Sequence, residues 1–349
     1  MNILIVKTSS LGDIIHAFDA INYLKNQFPQ STIDFVVEKP FADLVLNHPS
    51  INRVIQVNTR EWRKSFSKAF YGIRSLRNDL RQKEYDVCFD LQCNMKSGFI
   101  VLQVRAKEKV GYGFKTAIEW PNCLFNRIRF NPSKDCNVRD ENLYLVKEYF
   151  KSKEKIAVSD LKLTITTAEK ETIESILRNP IISNKPKVLV CPGSIWKNKQ
   201  ITPDAMKVFL KKLQEHLQCS FILAWGSSKE KEYVEDIKEI FPETSIILEK
   251  LSLPCLQNLM SEIQLVIAMD SLPLHLAGTT KVSTFSFFGP SSSFKFKPMG
   301  DHHKAFQGTC PYGRTISRRC PVIRTCKTGA CLRSVSGNEL FNSYLKQMP

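Results

Sequence analysis

No apolar stretch of the 349-residue chain approaches the roughly 18 residues that a membrane span requires. The opening MNILIVKTSS has no basic n-region, no apolar core of signal length and no small-residue cleavage site, so neither a spanning helix nor an export signal is expected and the chain is placed in the cytosol. Acidic residues are in short supply. Against 50 Lys and Arg stand 34 Asp and Glu, a formal net charge of +16, which points to anionic partners: nucleic acid, anionic lipid or phosphorylated sugar. There is no G-x-S-x-G elbow and no His-rich metal helix. GYGFKT at 111–116 lacks the spacing of a phosphate loop and reads as a turn after a strand. Helix-turn-helix, RRM and KH patterns are missing, as are repeats and low-complexity segments, which leaves a basic nucleic-acid-binding protein as a remote alternative.

At 43% hydrophobic and 24% charged residues, the chain can bury a full core, and its length suggests two domains. Short β-rich runs alternate with amphipathic stretches: ILIVK (3–7), a helix with Ile14, Phe18, Ile21 and Phe28 on one face, IDFVV (33–37), RVIQV (53–57), a helix around Phe70 to Leu80, and DVCFDL (86–91). That is βαβ grammar, an α/β fold with a parallel sheet covered by helices. A charged, weakly patterned stretch from Lys151 to Lys187 separates it from a second set: KVLVC (187–191), a helix opened by Thr202-Pro203-Asp204, SFILAW (220–225), SIIL (245–248), QLVIAM (264–269) and VSTFSFF (282–288). Two Rossmann-like domains are expected, 1–165 and 166–335, followed by a closing helix at 336–349 that Ser336 and Glu339 open with capping-box spacing.

Ligands of open α/β sheets bind beyond the carboxyl ends of strands, so the loops there hold the candidates. Thr8-Ser9-Ser10-Leu11-Gly12-Asp13 follows the first strand. Asp13 can take a proton from an attacking hydroxyl, or can merely N-cap the next helix. Asp270-Ser271-Leu272-Pro273-Leu274-His275 follows QLVIAM and opens a helix, where unpaired N–H groups attract phosphate. Gly193 to Lys199 supplies lysines that can neutralise a departing diphosphate, and Glu230, after Trp225-Gly226, can accept from sugar hydroxyls. Arg60, Trp62, Arg63, Lys64, Lys68 and Lys96 form a basic patch suited to an acidic ligand, while Arg74, Arg77 and Arg81 read as a solvated helix face.

Eleven cysteines in a chain without an export signal suggest reduced thiols. Cys310, Cys320, Cys326 and Cys331 are separated by nine, five and four residues. Free thiols are expected there, with one structural zinc as the competing assignment, because the spacing misses the paired CxxC form.

In order along the chain, VKTSSLGD (6–13), EWRK (61–64), MKSG (95–98), the Gly-Ser loop ending in Lys199, Trp-Gly at 225–226 and Asp-Ser with His275 at 270–275 resemble the lipopolysaccharide heptosyltransferases, on the heptosyltransferase I side. The resemblance extends to about Pro290. It implies a GT-B fold, two Rossmann-like domains facing across a cleft, with the acceptor on the first and ADP-heptose on the second. It implies inverting transfer of heptose to a Kdo sugar of lipid A, without metal or cofactor, with Asp13 as the base. Donor contacts are implied for Ser194, Lys199, Glu230, Asp270, Ser271 and His275, with Leu251 and Leu272 added to that site. Acceptor contacts are implied for Arg63, Lys64 and Lys96, with Thr8, Ser9 and Ser10 beside the base. Leu272-Pro273 stands where the family pattern has a glycine, and Ile201-Thr202 where it has Trp-Pro. These departures motivate the second alternative, the same fold with another donor or acceptor, as in a heptosyltransferase II-like enzyme. Because the acceptor is a lipid, peripheral contact with an anionic membrane face is also expected.

Overall fold

A run such as LVIAM (265–269) has no polar position to turn toward water, so a strand made of it must be covered on both faces. In the computed structural model, which describes residues 1–62, 64–153 and 160–348, runs of this kind assemble into two all-parallel sheets in separate compact units, Met1–Ser159 and Asp160–Pro349.

The first sheet contains β1 (Asn2–Val6), β2 (Thr32–Glu38), β3 (Arg53–Val57), β4 (Tyr85–Asp90), β5 (Ala106–Tyr112) and β6 (Ile128–Phe130), in the order β3-β2-β1-β4-β5-β6. The second contains β7 (Lys187–Cys191), β8 (Ser220–Leu223), β9 (Ser245–Ile247), β10 (Leu265–Met269), β11 (Ser283–Phe288) and β12 (His303–Gln307), in the order β12-β11-β10-β7-β8-β9. Each order reverses direction once, between β1 and β4 and between β7 and β10. At such a switch point the connections leave to opposite faces, and a crevice opens at the carboxyl ends of the two strands.

The second unit shows how its core fixes the chain end. Thr202 accepts from Ala205 N and Pro203 sits in the first turn, so the Pro203–Leu217 helix starts where the sequence signals it. Its Phe209 packs edge-on to Phe287 at 5.3 Å, and Phe285 meets Tyr344 at 5.3 Å. Ser336 caps the terminal Gly337–Gln347 helix and accepts from Glu339 N; Leu340 and Tyr344 are buried against the same core. Each such side chain contributes roughly 1.5–3 kcal/mol by leaving water.

Four differences from the sequence expectation have physical reasons. The single helix expected after β1 is two, Leu11–Ile15 and Phe18–Gln27, because Asn142 Nδ2 donates to the His16 carbonyl at 3.1 Å and draws it out of the helical ladder. The strands β5, β6 and β12 carry charged or short sequences at or near sheet edges, and no apolar run announces them. His303, in a stretch where the sequence marks no strand, begins β12 fully buried, with Thr284 Oγ1 3.0 Å from its Nδ1. Finally, residues 160–165, placed by sequence in the first domain, belong to the second unit: Leu161 N donates to Thr279 O, and Leu163 N to Gln257 Oε1. The charged stretch also contains a real helix, Thr167–Leu177, opened by a Thr166–Glu169 capping box.

Candidate active site

In the first unit the loop after β1 is fastened to the turn after β4. Thr8 N and Ser9 N both donate to Gln92 Oε1 at 3.0 Å. That turn is shaped by buried Asp90, whose Oδ1 accepts from Gln92 N (3.1 Å) and Cys93 N (3.0 Å). Its Oδ2 accepts from Ser97 Oγ (2.9 Å) and Asn122 Nδ2 (2.6 Å). Ser10, not Asp13, is the N-cap of the Leu11–Ile15 helix. Asp13 occupies the third helical position, and its Oδ2 accepts from Ser10 N at 3.0 Å and Ser10 Oγ at 2.8 Å. Asp13 thus supports the Ser10 cap from the third helical position while its carboxylate stays half-buried at the switch point.

Beneath this loop lies Lys7, buried, its ammonium donating to Leu91 O. Burial pushes its pKa down, against the opposing pull of Asp13 and Asp90. Lys7, Asp90 and Gln92 were not among the sequence candidates. The available signal was polar residues at the ends of buried strands, as in the run CFDLQC.

The basic patch is less free than its sequence suggests. Lys96, in the first turn of the Met95–Gln103 helix, lies 3.0 Å from Glu38 Oε1, and buried Glu38 also takes Thr59 N at 3.2 Å and the Thr59 hydroxyl. Lys64 pairs at the surface with Glu61, which also holds Lys68 at 3.2 Å. Arg63 lies outside the described residues.

In the second unit the candidates converge at the other switch point. Lys199, after β7, places Nζ 2.6 Å from Asp270 Oδ2 and 3.3 Å from Asp270 O, just after β10. His275 Nε2 lies 3.5 Å from Asp270 Oδ1, and the Ser291 hydroxyl donates to Asp270 Oδ2. Burial alone would raise the Asp270 carboxyl; the His275 hydrogen bond and the Lys199 and His275 charges outweigh it and hold the group well below the usual carboxylate range. Beside it, Ser271 Oγ is buried without a hydrogen-bond partner among the described residues. Ser271 caps the short Leu272–Ala277 helix, and Pro273 removes one amide donor from its first turn.

Ser194 is buried one residue after Gly193, and its carbonyl accepts from Gln200 Nε2. The Glu230 carboxylate accepts from Gly226 N at 2.7 Å and lies against Gly193, where a Cβ would stand 2.2 Å from Glu230 Cδ. Only glycine leaves room for that approach. Leu251 and Leu272 are half-buried, Leu251 in the turn between β9 and the Leu253–Ser261 helix. Ser291 escaped the sequence search because nothing local marks it. Among the described residues, no group of three or more His, Cys, Asp or Glu side chains is arranged to hold a metal ion.

Two all-parallel Rossmann-like units, each with polar residues gathered where its strand order reverses, make up the GT-B fold. The class narrows further with relatives. The chain belongs to glycosyltransferase family 9 (heptosyltransferase), whose sequence profile matches residues 73–323. It is 28% identical over 298 residues to lipopolysaccharide heptosyltransferase 1 of Pseudomonas aeruginosa, covering 84% of this chain and 79% of that one. It is 23% identical over 313 residues to lipooligosaccharide heptosyltransferase 2 of Haemophilus influenzae, covering 86% and 87%. The E. coli heptosyltransferase WaaC, solved with ADP, superposes with a TM-score of 0.78 at 20% identity over 99% of this chain and 100% of that one, and shares its fold. No helix among the described residues is long and apolar enough to cross a membrane.

Proposed function

We propose that this family member is a heptosyltransferase I, moving heptose from ADP-heptose to a Kdo sugar of lipid A with inversion and without a divalent metal. The observation that carries the donor assignment is the Lys199–Asp270–His275 cluster with the unpartnered Ser271 hydroxyl beside it. A buried carboxylate that fixes a cation, next to a free hydroxyl donor, is suited to receiving the charge of a departing diphosphate. The preference for the first heptosyltransferase over the second is supported by the VKTSSLGD and EWRK segments and by the identity to heptosyltransferase 1 proteins.

In this reaction Asp13 takes the proton of the acceptor hydroxyl as its oxygen attacks the anomeric carbon. The bond from that carbon to the diphosphate breaks on the opposite face, and its electron pair leaves with ADP. Lys199 and the Ser271 hydroxyl, with Ser194 and Glu230 nearby, are assigned to the donor; Thr8 to Ser10, Lys96, Lys64 and Arg63 are assigned to the acidic acceptor.

The lipid acceptor also calls for a membrane-facing surface. The Phe66–Arg81 helix exposes Phe66, Phe70, Tyr71 and Ile73 together with Lys68, Arg74 and Arg77, and the Met95–Gln103 helix exposes Phe99 and Leu102. Aromatic groups among cations match an anionic leaflet. Peripheral binding at the cytoplasmic face of the inner membrane is therefore part of the proposal.

The test is product analysis by mass spectrometry with synthetic Kdo-lipid A and a panel of nucleotide sugars. One heptose added to Kdo from ADP-heptose alone is the expected result. Transfer only to an acceptor that already carries heptose would assign the chain to the second step, and transfer of a different sugar would overturn the donor. Asp13→Ala is expected to abolish turnover while leaving ADP affinity nearly intact.

A further inference from the structure

We propose that residues 309–329 act as a clamp on the donor site, with Asn198 as the positioning residue through which the clamp holds Lys199 in place, a role that rests on the assignment of Lys199 to the departing diphosphate.

Residues 309–329, between β12 and the Ala330–Arg333 helix, contain no helix or strand of their own and make one isolated antiparallel bridge, from Arg319 to Ser291. Segments longer than the about 12–15 residues usual for a structureless loop are commonly either functional or disordered. This one is held, but not by a core: within 309–329 only Cys320 and Gly329 are buried. Nor is it held covalently, since all eleven cysteines are free thiols. Polar contacts to two loops fix its course, and those loops carry the two groups that meet on one oxygen of Asp270.

The first is the loop after β7. Lys197–Lys199 make a single 3-10 turn, in which Lys199 N donates to Trp196 O at 2.8 Å and Gln200 N to Lys197 O at 3.1 Å. At three residues per turn, neighbouring side chains leave about 120° apart, so Asn198 and Lys199 can be engaged on different sides. Lys199 reaches Asp270 Oδ2 at 2.6 Å. Asn198 turns to the segment, where its Nδ2 donates to both Ile323 O (2.9 Å) and Cys326 O (2.8 Å). Arg324 lies over the ring of Trp196, the residue that caps the turn, at 5.0 Å. Gly329 comes up against the same side chain: its φ is +59°, and an added Cβ would stand 2.7 Å from Asn198 Oδ1.

The second is the loop after β11. Cys320 N donates to Pro290 O at 2.6 Å and Ser292 N to Arg318 O at 3.0 Å, on either side of the Ser291–Arg319 bridge. Ser291 is fully buried and donates its hydroxyl to Asp270 Oδ2, the oxygen that also receives Lys199. Further along, Arg319 and Arg318 lie over the Phe296 ring at 4.7 and 5.7 Å. The segment thus grips the residue next to Lys199 at one end and the residues flanking Ser291 at the other. A lysine ammonium sits on a flexible stem and takes its place from its backbone and its partner. Misplacing such a group by about 1 Å can cost about 100-fold in rate when it meets charge that develops in the transition state.

The experiment measures kcat, acceptor KM, ADP affinity and melting curves of the full chain in Asn198→Ala, Lys199→Met and the double variant. Asn198→Ala is expected to lower kcat by about tenfold or more and to weaken ADP binding, with acceptor KM unchanged. Lys199→Met should do both more strongly. The double variant should be no worse than Lys199→Met alone, because Asn198 acts through that lysine. Asn198→Gln, which keeps the amide donor, should recover part of the loss. Gly329→Ala disturbs the same contact from the segment side and should reproduce the Asn198→Ala pattern. Parent-like kcat and ADP affinity in Asn198→Ala, or an equal further loss when it is added to Lys199→Met, would overturn the clamp and leave the donor assignment standing. A reduced kcat with unchanged ADP affinity and a lowered melting point would show a merely structural contact and overturn it likewise. Lys199→Met with the parent's kcat and ADP affinity would instead remove the donor assignment, and the clamp with it.

Discussion

Lys199 Nζ sits 2.6 Å from Asp270 Oδ2, joining the loop after β7 to the loop after β10 where the strand order of the second sheet reverses. Asp270 is buried at 4% exposure and Lys199 nearly so at 12%. Removing one partner strands the other charge in a low-dielectric site, which typically costs about 3–5 kcal/mol. Asp270→Asn is therefore expected to lower the urea midpoint substantially, and Lys199→Met combined with it to recover part of the loss. The folded-state pKa of Asp270 is depressed, so its contribution is present above the unfolded carboxylate range and is lost only as pH falls below about 4. A single variant as stable as the parent at neutral pH would show that the pair is not a structural brace.

Gln92 carries the corresponding task in the first unit, where one amide oxygen receives the N–H groups of both Thr8 and Ser9. Gln92→Ala leaves two backbone donors without their acceptor, a penalty of about 1–3 kcal/mol for each that stays dry. The loop bearing Asp13 should then lose its fixed position. The expected outcome is a fall in kcat of about tenfold or more, at roughly 1.4 kcal/mol per factor of ten, with ADP affinity unchanged because the nucleotide is assigned to the other unit. Equal loss of ADP binding would instead point to general unfolding.

The elements legible in sequence were those whose strands have an apolar run at their centre, such as β1, β4, β7 and β10, because burial on both faces leaves a nearly continuous signature. AKEKVGY at β5 opens on the consecutive charges Lys107, Glu108 and Lys109, and β6 and β12 are short or polar, so their pairing is decided by neighbours in the sheet. The same division runs through the candidate site. Asp13, Lys199 and Asp270 could be picked out because each follows a recognisable strand. Gln92 and Glu38 act on backbone or side chains 21 to 84 positions away, contacts that only the folded sheet creates. Ser291 likewise reaches Asp270 from the loop after β11, and no local spacing foretells it.

His48 supplies a pH dependence separate from the chemistry. It is buried edge-on against Phe18 at 4.7 Å, its Nδ1 accepts from Ser50 N at 3.2 Å, and burial pushes its pKa down to about 4. The unfolded chain takes up the proton near pH 6.5, whereas the native ring stays neutral. Stability is therefore complete above about pH 6.5 and declines as pH falls toward 4, by roughly 3 kcal/mol in all. Urea unfolding at pH 7, 5.5 and 4.5 should show that slope in the parent and a much flatter one in His48→Gln. Parallel slopes would remove His48 as the cause.

The membrane assignment rests on Phe66, 89% exposed at the start of its helix, and on Phe70 one turn later. Two such side chains on one face gain little by facing water, and each phenyl that inserts contributes up to roughly 1.5–3 kcal/mol. Neighbouring cations add about 1 kcal/mol apiece near an anionic surface, a share that salt screens. Cosedimentation with vesicles containing phosphatidylglycerol should accordingly bind the parent more strongly at low than at high salt. Phe66→Ser with Phe70→Ser should weaken binding at both salt levels by about tenfold or more, with an unchanged melting curve since neither ring is in the core. Arg74→Glu with Arg77→Glu should instead flatten the salt dependence. A parent that stays in the supernatant at low salt, or a serine variant that sediments equally well, would assign these aromatic residues to some other partner.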